Sequence, residues 1–230
     1  MTRIRFQQSL DELKENLLVM AGLAEQAIQR AIEAYRVRDL SICDLVSRSE
    51  NAINRLERDI DQSALDLLAM EQPMAIDLRF ILSVIKINAD LERVGDAAKS
   101  ISDRVRSMEQ MAVAELPVDI PRMATLSAEM VRKSLQAFIE ADPEIARAVL
   151  TMDDAVDAMN RAAYKALTKV MEEQSHIAPQ ALNALMISRA LERVADHATN
   201  IAEDVIFWVQ GDDVRHHKSV LAQKDGNKAS

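Results

Sequence analysis

The sequence predicts an all-α protein that consists of two tandem, similar antiparallel three-helix bundles, with six long helices in total. Its composition is typical of helices, because 49% of the 230 residues are hydrophobic and 28% charged, with only four Gly and five Pro. A short phrase also occurs twice, as Leu91 to Asp96 (LERVGD) and as Leu191 to Asp196 (LERVAD). Two copies at this separation indicate an internal duplication. We therefore divide the chain into a first bundle at residues 1–111, a linker at 112–121, a second bundle at 122–211 and a tail at 212–230.

The first bundle contains three predicted helices. Apolar residues recur every three or four positions from about Ser9 to Arg36, which predicts the first helix. Asp39 is a candidate N-cap for a second helix that runs to about Ala69. Pro73 interrupts the pattern before a third helix of about 35 residues. Short loops between these segments require neighbouring helices to be antiparallel.

The second bundle repeats this order. Two prolines between Ala112 and Pro121 mark the linker, and a fourth helix follows to about Ala141. Asp142 and Pro143 combine a cap with a proline at the first helical position, which predicts a fifth helix to about Glu173. The sixth helix begins near Pro179 and ends before Gly211, and the polar tail after it is expected to be frayed.

Charge and targeting signals exclude several classes of function. The formal net charge of −9 argues against nucleic-acid binding, which depends on Lys and Arg replacing counterions. The single cysteine, Cys43, excludes an intramolecular disulfide and suits a reducing cytoplasm. No apolar signal-peptide core follows the first residues, and the longest apolar run, Val205 to Val209, is too short to cross a bilayer. Any membrane role is therefore expected to act through a partner.

Acidic residues form a stripe on the third and on the sixth helix. On a helical wheel, Glu92, Asp96 and Asp103 fall together about 150° from the centre of the apolar sector. The sixth helix repeats the pattern with Glu192, Asp196 and Glu203. We call these the first and second acidic stripes. Carboxylates at i and i+4 repel each other unless a cation lies between them, so the repeat raises the possibility of metal binding.

The middle helix of each half carries a second polar row. These rows are Glu50, Asn54, Glu57 and Asp61 in the first half, and Asp153, Asp157, Asn160 and Tyr164 in the second. Where a row lies beside an acidic stripe, four or more oxygen ligands converge. Oxygen ligands suit cations such as magnesium, manganese, calcium and iron rather than structural zinc. The alternative that these are merely solvated helix faces stays open.

Other candidate groups are weaker. Arg93 and Arg193 are predicted to be salt-bridge partners across the bundle rather than catalytic groups, and His197 lies about 120° from the second acidic stripe. Glu173 and His176 have the Glu-x-x-His spacing of a diiron ligand pair, but the motif occurs once. No phosphate loop or nucleophile elbow occurs, so we expect no enzymatic activity. A metal-dependent phosphatase or oxidase that uses the carboxylates remains the alternative.

Two sets of residues together resemble the PhoU family. These are the run Gln72 to Arg79 (QPMAIDLR) and the two repeated phrases, the second of which continues through His197 to Ile201. The resemblance spans essentially residues 5 to 210. It implies a cytoplasmic regulator of phosphate uptake and of phosphate-starvation signalling, commonly a homodimer. Such a protein is expected to bridge the ATPase subunit of the phosphate ABC transporter and a sensor histidine kinase, and to hold signalling off when phosphate is plentiful.

The resemblance also implies metal sites, since the family's Glu/Asp-x-x-x-Asp motifs bind multinuclear metal clusters, often of iron. By position these motifs fall on Glu92 with Asp96, on Glu192 with Asp196 and on Asp153 with Asp157, whereas Glu50 is followed by the neutral Asn54. The second copy is the fuller family form because it has His197 and Asn200 where the first has Ala97 and Ser100, so we expect metal to bind there first. The metal is predicted to be divalent or trivalent iron, manganese, magnesium or zinc. The full predicted ligand set is Glu50, Glu92, Asp96, Asp103, Asp153, Asp157, Glu192, Asp196, Asn200 and Glu203.

Overall fold

Helices account for almost all of the chain in the computed structural model, which describes residues 3–71, 73–212 and 214. A single 3₁₀ turn at Ser175–Ile177 precedes the last helix, and no strand occurs within these ranges. The all-α prediction and the six-helix order are therefore confirmed, while most of the predicted tail at 212–230 lies outside the described residues. The helices are α1 (Arg3–Val37), α2 (Leu40–Glu71), α3 (Ala75–Ser107), α4 (Ile120–Glu140), α5 (Pro143–Glu173) and α6 (Ala178–Gln210).

Local capping signals determine several of the helix ends. The Asp39 carboxylate accepts a hydrogen bond from the Ser41 amide at 2.8 Å, and Asp142 caps α5 by accepting from the amides of Glu144 and Ile145. Gly211 ends α6 at φ 81°, a left-handed conformation that favours glycine, and its amide donates to the Phe207 carbonyl. The predicted limits of α2, α5 and α6 are thus correct to within two residues.

The predicted start of α1 at Ser9 was wrong, because the helix begins at Arg3. The Ser9 hydroxyl donates to the carbonyl of Arg5 one turn earlier instead of capping a helix end. Phe6 packs against the hydrophobic core, which holds the additional turn in place. The predicted start rested on the apolar repeat, whereas tertiary packing extends the helix further toward its N-terminal end.

One hydrophobic core runs through both bundles. The main cluster of buried side chains includes Leu17 of α1, Ile53 of α2, Met130 of α4 and Val194 of α6. Three aromatic rings join the bundles at one end, with Trp208 lying 5.1 Å from Phe80 and 5.3 Å from Phe138 between ring centroids. A smaller cluster lies between α5 and α6. Within the described ranges, no helix combines the length and apolar character needed to span a membrane.

Helices α3 and α6 form the antiparallel seam between the bundles. Arg79 Nε donates to the Trp208 carbonyl at 3.1 Å and Ser83 Oγ donates to the Asp204 carbonyl at 3.0 Å. Residue numbers thus rise along α3 while they fall along α6. Continuing this register sets the first repeated phrase against the second at the middle of the seam, with Val94 and Val194 both fully buried. The duplication is therefore arranged about a pseudo-twofold axis through this point.

Candidate functional site

The first acidic stripe lies beside the polar row of α2. Glu92 is half-buried on α3, and Asp96 is exposed one turn further along the helix. Burial raises the pKa of Glu92, and the negative charges of Asp96, Glu57 and, to a smaller extent, Glu50 raise it further. The guanidinium of Arg93 opposes this effect only partly. The site is thus a group of carboxylates that repel one another.

The second acidic stripe reproduces this electrostatic arrangement in the other bundle. Burial is the largest cause of the raised pKa of Glu192, followed by the charges of Asp196 and of Asp157 on α5. Arg189 and Arg193 lower the same pKa. Both copies of the duplication therefore combine a half-buried glutamate on the third helix of the bundle with carboxylates from the middle helix.

Hydrogen bonds hold the α2 side of the first site in position. The Asn54 side-chain amide donates to Glu50 Oε1 at 2.6 Å. Asn88 on α3 donates to Asp61 Oδ1 and to the Glu57 carbonyl, both at 2.9 Å. Because the two Asn88 bonds cross from α3 to α2, they fix the carboxylate row of α2 relative to the first acidic stripe.

Some predicted ligands lie apart from these centres. Asp103 and Glu203 share a stripe with Glu92 and Glu192, but eleven residues of helix separate each pair by about 16 Å. Asp103 is exposed and forms a salt bridge with Lys99 one turn earlier. A helical wheel gives the angle of a residue around the axis but not its position along the axis, so it could not show this separation.

Asn200 lies on the seam side of the second bundle. Its side-chain amide donates to Asp90 Oδ1 on α3 at 3.2 Å, so its polar group points toward the first bundle. Asp157 on α5, by contrast, lies close enough to Glu192 to raise its pKa, is half-buried and accepts from Arg161, and Asp153 is buried one turn earlier on the same row. The structure thus brings Asp157 of α5 beside Glu192 of α6 and sets Asn200 to one side.

The donor chemistry of the stripes fits a hard cation. Within the described ranges, no three His, Cys, Asp or Glu side chains are grouped so that they could hold an ion as they stand. Asn54 Oδ1, however, is buried without a hydrogen-bond partner among the described residues, directly beside Glu50. An orphaned amide oxygen among mutually repelling carboxylates is a donor set suited to a metal that binds oxygen. Rotation of the exposed Asp96 and Asp196 side chains would be needed to complete such a set.

A buried polar pair on the seam was missed by the sequence reasoning. His197 Nδ1 and Asp90 Oδ1 lie 2.8 Å apart, and both side chains are largely buried. The helical wheel showed only that His197 points away from the acidic stripe. A signal was available in the duplication, because Asp90 and His197 correspond to Ala190 and Ala97, so the two positions differ together between the copies.

Known proteins match this chain along both bundles. A PhoU domain family model matches residues 17–105 and again 120–205. The PhoU homolog of the phosphate-specific transport system in Pseudomonas aeruginosa, an accessory protein, is 35% identical over 92% of this chain and 88% of its own length. The PhoU accessory protein of Serratia marcescens is 31% identical over 98% of this chain and 95% of its own.

Two solved structures have the same fold. The crystal structure of PhoU from Pseudomonas aeruginosa superposes with a TM-score of 0.87 at 34% identity, covering 90% of this chain and 100% of that one. The phosphate transport system regulatory protein PhoU from Streptococcus pneumoniae gives a TM-score of 0.84 at 29% identity, covering 91% and 99% of the two chains. The similarity therefore includes both three-helix bundles.

Proposed function

The chain belongs to the PhoU family, and from this membership we propose that it regulates phosphate transport as a protein-binding adaptor without enzymatic activity. The observation that carries the proposal is the family match over both bundles, together with relatives named as accessory or regulatory proteins of phosphate transport. In the specific form of the proposal, the chain acts in the cytoplasm as a negative regulator of the phosphate-starvation response. It bridges the ATPase subunit of a phosphate ABC transporter and a sensor histidine kinase.

The two-bundle architecture suits an adaptor. The pseudo-twofold axis gives the molecule two similar outer faces, each with an acidic stripe next to a polar row. Exposed apolar side chains at the α2–α3 turn, Met74 and Ile76, add an apolar contact surface near one end of the seam. We propose that the two faces bind different partners and that the chain forms a homodimer.

Metal binding on the stripes is part of the proposal. The residues that would hold an ion are Glu50, Asn54, Glu92 and Asp96 in the first bundle, with Glu57 beside them, and Glu192, Asp196, Asp153 and Asp157 in the second. A divalent or trivalent ion such as iron, manganese, magnesium or zinc supplies positive charge between carboxylates that otherwise repel. The side chains themselves then link α2 to α3 and α5 to α6, which stiffens the docking faces.

The adaptor role is tested by affinity purification of the full chain from membranes of phosphate-replete cells. Mass spectrometry is expected to identify the transporter ATPase and a sensor histidine kinase. The variant Glu192→Gln with Asp196→Asn should lose one of them, whereas Glu109→Gln with Glu115→Gln, two exposed positions between the bundles, should retain both. Recovery of neither partner by the unchanged protein would contradict the adaptor proposal.

The metal component has a separate test. Elemental analysis of protein purified without chelator, and again after reconstitution, is expected to show stoichiometric metal that decreases in the Glu192→Gln with Asp196→Asn variant. Absence of metal in both preparations would refute metal binding and leave the adaptor role in place. Hydrolysis of a generic phosphoester by the metal-loaded protein, lost in the same variant, would instead favour the enzyme alternative.

A further inference from the structure

An open cleft of about 490 Å³ runs along the seam between α3 and α6. It lies at the level of the repeated phrases, and both repeats contribute to its walls. Its charged and titratable lining consists of Arg93, Asp96, Lys99, Asp103, Arg104, Arg193 and His197.

The lining is positively charged although the whole chain is acidic. Among the described residues that line the cleft, four Lys and Arg side chains face two carboxylates, in a protein of net charge −9. Asp103 pairs with Lys99, which leaves three arginines and a single aspartate, Asp96. A local excess of arginine in an acidic protein attracts anions from solution.

The pseudo-twofold axis places two of these arginines in equivalent positions. Arg93 and Arg193 occupy the same place in the two repeated phrases, and both side chains are exposed on the cleft. Antiparallel packing of α3 on α6 brings the two phrases together at the middle of the seam. One arginine from each bundle therefore reaches the same space.

Arg104 extends the positive charge of the cleft toward the end of α3, about 16 Å along the helix from Arg93. Its counterpart in the other copy is Asp204, which is buried and paired with Lys86 at 3.0 Å, whereas the counterpart of Lys86 is the apolar Met186. At one end of the seam Lys86 balances the charge of Asp204, whereas at the other end the equivalent positions hold Arg104 and the uncharged Met186. Within the described part of the chain, Arg104 Nε is also buried without a hydrogen-bond partner.

We propose that this cleft binds a small phosphate-bearing anion. Planar guanidinium groups from two helices match the oxygens of a phosphoryl group through paired hydrogen bonds. The volume lies in the range of small-ligand sites and accommodates either hydrated inorganic phosphate or a nucleoside polyphosphate. The site needs neither the bound metal nor the partner proteins of the adaptor role, although Asp96 borders both the cleft and the first acidic stripe.

Binding is measured by isothermal titration calorimetry on the metal-stripped full chain at low ionic strength. The probes are inorganic phosphate, ATP and citrate, a polyanion without phosphate. The cleft is expected to bind inorganic phosphate or ATP saturably, and citrate at least about tenfold more weakly. Saturation by phosphate alone identifies the free ion as the ligand type, and saturation by ATP alone identifies a nucleotide.

Matched variants locate the binding. Arg93→Gln with Arg193→Gln is expected to weaken the affinity by at least about tenfold, because both guanidinium groups are lost. Arg58→Gln with Arg122→Gln removes the same charge from exposed positions outside the cleft and should bind like the unchanged chain. Should the double variant fold poorly by circular dichroism, the single variants Arg93→Gln and Arg193→Gln replace it, and each is expected to weaken binding.

Three results would overturn the proposal. These are saturable binding of neither phosphate probe, equal affinity for citrate, and equal weakening by the cleft and the control variants. Because the measurement contains no metal and no partner, each of these failures leaves the adaptor proposal untouched.

Discussion

Glu92 and Glu192, the half-buried glutamates of the proposed metal sites, make the stability of the metal-free protein depend on pH. Each glutamate has a pKa raised above its usual value of 4.5, first by burial and then by neighbouring carboxylates. A carboxyl group with a raised folded-state pKa contributes stability that is fully present below its unfolded value and is lost as the pH rises through the folded value. The metal-free protein should therefore lose stability from just above pH 4.5 toward neutrality.

Glu92→Gln with Glu192→Gln is accordingly expected to stabilise the metal-free protein at pH 7. Relief of two i,i+4 carboxylate repulsions should raise the free energy of unfolding by about 0.5 kcal/mol per site. Urea unfolding in the presence of chelator, recorded from pH 5 to pH 8, measures the effect. The control Glu15→Gln with Glu172→Gln changes the same charge at exposed positions, one in each bundle. Parallel pH profiles for the glutamine variant and the unchanged protein would contradict this account.

Gly95 shows how the two copies balance side-chain volume across α2 and α3. A Cβ atom at this position would lie 2.9 Å from Ile53 Cδ1 and 3.4 Å from Ile53 Cγ2. The second copy carries Ala195 and, at the position equivalent to Ile53, the shorter Val156. In the second copy, the methyl group that Ala195 adds on α6 is therefore balanced by the carbon that Val156 lacks on α5.

We expect Gly95→Ala and Ile53→Val to be coupled. Gly95→Ala alone gains helix propensity but must displace the Ile53 side chain, and Ile53→Val alone leaves a cavity that costs about 1 kcal/mol. The double variant fills that cavity, so its free energy of unfolding should exceed the additive value by about 0.5–2 kcal/mol. Chemical denaturation of the four proteins in this double-mutant cycle gives the coupling. Additive effects would show that the close contact is relieved elsewhere.

At the scale of elements, the seam between α3 and α6 depends on polar groups that only one half of the duplication retains. Asp90 is buried and accepts hydrogen bonds from His197 and Asn200. The equivalent positions of Asp90 and His197 in the other copy are both alanine. The chain thus contains a polar and an apolar solution to the same packing problem.

His197→Ala is expected to destabilise the protein by about 1–3 kcal/mol, because it leaves the buried Asp90 carboxylate with Asn200 as its one donor among the described residues. Adding Asp90→Ala should recover part of this loss, since it reproduces the apolar pair found at Ala97 and Ala190. Urea midpoints of the single and double variants test the order. A double variant less stable than His197→Ala would indicate that the cavity, rather than the unpaired carboxylate, dominates.

The contrast between helix ends and seam contacts shows what the sequence could predict. Asp142 and Gly211 act on backbone groups a few residues away, so their signals are local and the predicted ends were correct. The crowding around Glu92 and Glu192 was also predictable, because an i,i+4 repeat on one face is a property of the helix alone. The pairing of Asp90 with His197 joins residues more than 100 positions apart, and only the packing of α3 on α6 determines it.

At the scale of the whole molecule, the chain behaves as one packed unit made from two copies. The length of each half is sufficient for a separate core, and nothing local in the sequence shows that the two cores merge. In the structure they do merge, since one cluster of buried side chains includes residues of all six helices. The linker between α3 and α4 therefore connects two bundles whose stability is shared.

Unfolding is accordingly expected to be a single transition, and Trp208 is the natural probe for it. It is the only tryptophan, and it contacts Phe80 of the first bundle and Phe138 of the second. Fluorescence and circular dichroism should therefore give coincident urea curves. Leu17→Ala in α1 and Leu167→Ala in α5 each truncate a fully buried leucine, one in each bundle.

Each leucine variant should lower the free energy of unfolding by about 2–5 kcal/mol and shift both probes equally. The two bundles would be independent if Leu17→Ala moved only part of the circular dichroism transition and left the Trp208 curve unchanged, since Trp208 lies on α6 of the second bundle. Coincident shifts would instead mean that a ligand or partner bound to one bundle stabilises the other. That coupling is what an adaptor with two binding faces needs in order to transmit occupancy from one face to the other.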